Sequence, residues 1–177
     1  MGNNDPLYDR KRPDSLRIKA RKYGPIWRYA LILLVFGSPA AFGQAVPDSD
    51  DLASFFGSTT IIIEGEQDAC FRFDVFVATR REQQVRGLMH VHRLPAFSGM
   101  LFIYEQPAML SMWMKNTYIP LDILFIREDG TIADIVANTE PLSLASISAT
   151  EPVSYVLELN AGVTDKLHIG AGSRIHL

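Results

Sequence analysis

The chain has 177 residues, 47% of them hydrophobic, with a single cysteine and a formal net charge of −3. One cysteine excludes an internal disulfide framework, so apolar packing must hold whatever folds. The charge is uneven: residues 1–43 carry 8 Lys+Arg against 3 Asp+Glu, and the remainder carries 9 against 17, a charge of −8 that makes a poor partner for nucleic acid or an anionic membrane surface.

In chain order, Arg17, Lys19, Arg21, Lys22 and Arg28 precede the apolar segment Tyr29 to Phe36, and the small-residue stretch Ala40-Ala41-Phe42-Gly43 follows. That order reads as a secretory signal over residues 1–43, cleaved after Gly43, and implies an exported protein, periplasmic or secreted. The apolar core is shorter than the roughly 20 residues of a spanning helix, so no stable membrane span is expected after cleavage. An uncleaved N-terminal anchor is the alternative. Residues 44–58, rich in Asp, Ser, Gly and Pro, read as a flexible linker, and residues 59–177 as a single domain.

Within that domain, period-two patterning dominates. Thr59 to Glu64 is a strand candidate. From Cys70 to Val77 the residues Phe71, Phe73, Val75 and Val77 share one face while Arg72 and Asp74 share the other, with Cys70 expected as a small buried hydrophobe. Further strands are expected over Gly99 to Tyr104, Met109 to Met114 and Leu121 to Arg127. Asp129-Gly130 suits a type I′ turn into Thr131 to Ala137. Val153 to Leu159 alternates with Val153, Tyr155, Leu157 and Leu159 inward, and Arg174 to Leu177 closes the chain. Two short helices are expected. One starts at a capping box formed by Thr79 and Glu82 and stops at Gly87, with Leu88 folded back behind it, and the other covers Ala161 to Leu167. The pattern predicts an all-β, mainly antiparallel fold: a jelly-roll-like β-sandwich or barrel with one or two short helices.

Several motifs carry a family likeness. Val75, Val77, Ala78, Thr79, Glu82, Gly87-Leu88-Met89, Gly99-Met100-Leu101-Phe102, Trp113-Met114-Lys115-Asn116-Thr117, Ile119-Pro120-Leu121-Asp122-Ile123, Val156-Leu157-Glu158-Leu159, Ala161-Gly162 and His168-Ile169-Gly170 together resemble the bacterial and archaeal family called domain of unknown function 192. The likeness spans Phe71 to Leu177. It implies a jelly-roll-like β-sandwich, often exported, and brings no established activity.

The densest chemistry lies between Trp113 and Asp122. A strand ending in a turn at Asn116, stiffened by Pro120, would set Lys115 and Asp122 at neighbouring strand ends, and Asp122 between Leu121 and Ile123 should be partly desolvated. Such residues can form a structural polar cluster. They can also form a small-ligand pocket, with Trp113 and Met114 as apolar wall and Lys115, Asn116, Asp122 and Glu82 as polar anchors. A third pattern is the methionine group: Met89, Met100, Met109, Met112 and Met114 fall close to His90 and His92, and thioethers with imidazole suit Cu(I), so Met112, Met114, His90 and His92 are an alternative metal set. Met is also a common core gap-filler. No serine on a glycine elbow, no cysteine–histidine pair and no recognised zinc spacing is present, which argues for binding over catalysis and leaves an enzyme of unknown reaction as a further alternative. The partner expected is a small molecule or another envelope protein; the sequence names no cofactor.

Overall fold

The computed structural model of the chain describes residues 49–65 and 69–177, so the expected signal, residues 1–43, lies outside the described residues. Nine strands and three short helices are found among them: α1 Ser49–Phe55, β1 Gly57–Glu64, β2 Cys70–Ala78, α2 Arg81–Arg86, β3 Ser98–Ala108, β4 Ser111–Met112, β5 Leu121–Ile126, β6 Ile132–Val136, β7 Ile147–Ser148, β8 Val153–Asn160, α3 Val163–Lys166 and β9 Ile175–His176. The fold is all-β in class, as the alternation predicts. Seven strands form one sheet in the order β6-β5-β8-β3-β2-β1-β9, and β4 pairs with β7 separately.

The sheet is mixed. β2 and β3 run parallel, with Asp74 beside Ser98 and Ala78 beside Phe102, while the other named pairings are antiparallel. Parallel neighbours need a long crossover, and residues 79–97, including α2, supply it. The sheet also curls onto itself. Glu64 N–H donates to the Arg174 carbonyl on one side of the C-terminal segment, and on the other Ile132 N–H donates to Ser173 and Ile175 N–H to Gly130. The two edges therefore meet through one shared segment, which removes open edges that could recruit other chains.

Curling gives the sheet two apolar faces. The concave face gathers Ile61, Ile63, Phe73, Val75, Leu101, Leu124, Leu157 and Ile175, residues drawn from nearly every strand. Met100, Phe102, Ile123, Phe125 and Val156 face the other way, where Leu52, Phe56, Leu88, Val91 and Met114 cover them. In β2 the expected division holds: Phe73 and Val75 are buried inward, while Arg72 and Asp74 lie exposed on the other face and pair at 3.1 Å. In β8 the expectation needs correction. Leu157 and Leu159 point inward, but Val153 packs in the outer cluster with Val156, and Ser154 and Glu158 are buried too. A strand covered on both faces loses the polar half of its alternation.

Other expectations shift for local reasons. The stretch expected as linker contains α1 and the start of β1, with Leu52 and Phe56 buried. Apolar residues four apart put one helical stripe on the domain. The cap of α2 is Arg80, and Thr79 lies one residue before it. Gln83 does the work expected of Glu82: its Oε1 accepts the Thr79 and Arg80 N–H groups at 3.2 and 3.1 Å, and its Nε2 donates to the Phe55 carbonyl at 2.9 Å. Inward-facing Gln83 can join α1 to α2, which exposed Glu82 cannot. The 127–130 turn closes with Gly130 N–H donating to the Arg127 carbonyl, and of the Asp129-Gly130 pair only Gly130 has positive φ (83°). Type I′ needs both, so this is the one-glycine bulged alternative. Cys70 is exposed at the start of β2, on the side opposite the buried Phe73 set. The strand expected over Met109 to Met114 shrinks to Ser111–Met112, which pairs with Ile147 and Ser148 rather than with β5.

Candidate functional site

β5 and β8 each place one carboxylate in the interior, and register aims the two at opposite faces. Asp122 stands opposite Leu159 and Glu158 opposite Ile123, one step apart on adjacent antiparallel strands. Asp122 shares the concave side with Leu159. Glu158 shares the outer side with Ile123 and Met100.

Asp122 is fully buried and saturated. Its Oδ1 accepts N–H groups of Asn138 at 2.9 Å and Gly162 at 3.1 Å; its Oδ2 accepts the Thr164 N–H at 3.0 Å and the Thr164 hydroxyl at 2.7 Å. Four donors converge on one carboxylate, which fits the rule that buried polar groups are hydrogen-bonded. Asp122 therefore ties the end of β6 to the start of α3. It does not meet Lys115, whose ammonium lies 5.0 Å from the Trp113 ring centroid on the exposed surface.

Glu158 is the reverse. It is 5% exposed, and its Oε2 is the one buried side-chain polar atom without a hydrogen-bond partner among the described residues. Burial pushes its carboxyl up to about 8, and no neighbouring cation offsets that effect. At neutral pH the group holds its proton and can donate. It opens onto a cavity of about 300 Å³ between α2 and the outer face of the sheet.

The crossover builds the cavity. Gln84 Nε2 donates to the Ile103 carbonyl at 2.8 Å and pins α2 over β3. Gly87, at φ 45°, ends the helix with its N–H on the Gln83 carbonyl. A Cβ there would lie 3.1 Å from Phe102 and 4.0 Å from Glu158 Oε2, so its absence keeps the inner end open. β3 contributes Phe102 and Tyr104; burial, and then the charge of Glu158, push the Tyr104 hydroxyl up. Half-buried Met89, Met112 and Arg86 line it too, with exposed Trp113 and Arg81 on the solvent side. Trp113 is 47% exposed, as a mouth residue would be.

The expected site residues thus part company. Trp113 lines the cavity. Asn116 sits at φ 56° in the turn closed by Thr117 N–H to the Met114 carbonyl, and its Nδ2 reaches Met89 Sδ at 3.9 Å, beside the cavity wall. Met114 is fully buried, 3.2 Å from Thr139 Oγ1, and belongs to the core. Glu82 is exposed and pairs with Arg80 at 3.5 Å. Of the alternative metal set, Met112 lines the cavity and Met114 is core. His90 lies 3.2 Å from the Tyr118 hydroxyl, and His92 stacks on the Tyr118 ring at 4.6 Å. Glu158 was not among the expected site residues. The available signal was a lone acid in the otherwise apolar run Val156 to Leu159.

Fold and cavity together define an all-β domain with a curled mixed sheet and a pocket under its one parallel crossover. Residues 61–177 match the family described as "Uncharacterized ACR", domain of unknown function 192, and the chain belongs to that family. Among solved structures, a candidate transcription regulator from Sinorhizobium meliloti 1021 is 39% identical, with a TM-score of 0.67 over 68% of this chain and 94% of that one. A protein of unknown function from Novosphingobium aromaticivorans DSM 12444 is 32% identical, with a TM-score of 0.66 over 68% of this chain and 85% of that one. No curated protein matches the chain.

Proposed function

We propose that this chain is an exported binding protein that holds a small molecule in the cavity under α2, with Glu158 as its inner polar anchor. The observation that carries the reading is the unpartnered buried Oε2 of Glu158 at the wall of a cavity. An unsatisfied buried polar group costs about 1–3 kcal/mol, a cost that makes sense where a ligand supplies the missing partner. The lining of aromatic rings and thioethers around a few polar groups is the composition of small-molecule sites. Export is supported by the basic, apolar and small-residue succession ahead of Gln44. Among the described residues, no helix is long and apolar enough to cross a membrane. The regulator description of the S. meliloti protein is not carried over, since the −8 charge after Gly43 disfavours nucleic acid.

The test is a small-molecule screen on the full chain by shift of the unfolding midpoint, repeated with Glu158→Met. Compounds that stabilise the native chain should lose their effect in the variant while the variant itself stays folded. Hits that persist unchanged would place binding elsewhere. Export is checked separately by sequencing the N-terminus of protein recovered from exporting cells, expected at Gln44; a start at Met1 would favour a retained anchor.

A further inference from the structure

The two ends of the cavity differ in what they can offer. The inner end presents Glu158, protonated at neutral pH and facing uncharged neighbours: Met100 and Tyr104 from β3, Ile123 from β5, and Met89 and Trp113 from the segments over the sheet. Tyr104 is the one titratable side chain among them, and its hydroxyl stays protonated throughout the neutral range. Of the charged residues on α2, exposed Arg81 and half-buried Arg86 line the cavity, and Glu82 does not. Arg86 is engaged, its guanidinium 4.6 Å from the Phe55 ring centroid. Arg81 has no carboxylate partner among the described residues, because Glu82 is turned to Arg80. A hydrogen-bond donor at the dry end, an unpaired guanidinium at the wet end and aromatic walls between them make a polarised slot.

From this arrangement we infer that the pocket takes a small organic anion with an apolar body, its carbonyl or ether oxygen accepting from Glu158 and its negative group paired with Arg81. The inference rests on the binding reading above. Cations are disfavoured by the two guanidiniums at the entrance, and a purely apolar ligand would leave the Glu158 carboxyl unpartnered.

Three probes with one acetylphenyl body test it by calorimetry on the full chain: 4-acetylbenzoate, neutral 4-methylacetophenone and cationic 4-(aminomethyl)acetophenone. The benzoate should bind about tenfold or more tighter than the ammonium compound at low salt, with the gap narrowing as salt screens the rim. Arg81→Gln should remove the benzoate's advantage over the neutral ketone. Above pH 8 the benzoate's affinity should fall about tenfold per unit as Glu158 loses the proton it donates. In Glu158→Gln, whose amide donates at every pH, that fall should vanish. Preference for the ammonium probe, with affinity rising through pH 8, would overturn the anion assignment and leave the pocket standing. Binding unaffected by Glu158→Met, or no binding by any of the three, would take the pocket down with it.

Discussion

Asp122 and Glu158 sit one residue out of register on neighbouring strands, are both carboxylates and are both buried, yet they have opposite fates. Asp122 receives four donors from the loops beyond β6 and β8. Glu158 has an oxygen with none. The difference is in what covers each face. Asp122 lies under loops whose backbone amides turn inward, whereas Glu158 faces a cavity lined by Met89 from the crossover, Phe102 and Tyr104 from β3, and Met112 and Trp113. The first arrangement is a stability device; the second leaves a buried polar atom unpaired, which costs stability.

The comparison breaks most readily at Asp122. Asp122→Ala would strand four donors at once, and loss of about 3–5 kcal/mol is expected by denaturant unfolding, a large part of the margin of a domain this size. Asp122→Asn should recover only part of this, because its amide points hydrogens at donors. Near-native stability of the alanine variant would mean that water or loop movement satisfies those amides, and Asp122 would lose its standing as a hub.

At Glu158 the opposite sign is expected. Its pKa rises from 4.5 in the unfolded chain to about 8 in the folded one, so the folded state binds the extra proton between those values. Stability is therefore highest below pH 4.5 as far as this group is concerned, declines as pH rises toward 8 and levels beyond it. Glu158→Gln should flatten that slope and exceed the native chain by roughly 3 kcal/mol at pH 7, with little difference at pH 4. Parallel curves for the two proteins across pH 4–8 would show that Glu158 has a partner after all.

Much of this architecture is legible in the sequence, and the failures have physical causes. Alternation in Cys70 to Val77 locates β2 and its inward face because the opposite face at Arg72 and Asp74 meets solvent. Asp122 between Leu121 and Ile123 reads correctly as desolvated, but its partners are the backbone amides of residues 138, 162 and 164 and the hydroxyl of Thr164, all distant in sequence and announced by no local pattern. Glu158 is hidden more thoroughly. With Leu157 and Leu159 inward it falls on the face ordinarily given to water, and only the crossover of residues 79–97 reveals that the face is covered. Trp113, a large aromatic in polar company, is the expected site residue that lines the cavity.

A smaller effect sharpens how the crossover is held. Gln83→Ala removes the acceptor for two N–H groups and the donor to the Phe55 carbonyl, so about 1–2 kcal/mol should be lost in the unfolding free energy. Thr79→Ala, by contrast, should stay within about 0.5 kcal/mol, since Thr79 is not the cap. A larger loss from Thr79→Ala than from Gln83→Ala would move the start of α2 back by one residue, and with it the angle at which Arg81 meets the rim.

The smallest effect separates the turn from both carboxylates. Lys115 projects from the Met114–Thr117 turn, exposed, with its ammonium 5.0 Å from the Trp113 ring centroid. If it were the partner of Asp122, Lys115→Met would leave a buried charge alone and cost several kcal/mol. Four other donors already hold Asp122, so only an exposed cation–π contact is at stake, worth about 0.5 kcal/mol. Unfolding of Lys115→Met should therefore match the native chain to within that amount. Because Trp113 also lines the cavity mouth, the same variant should alter the tryptophan's emission without altering stability. A loss comparable to that of Asp122→Ala would join the turn to the Asp122 hub and undo the separation between the two faces.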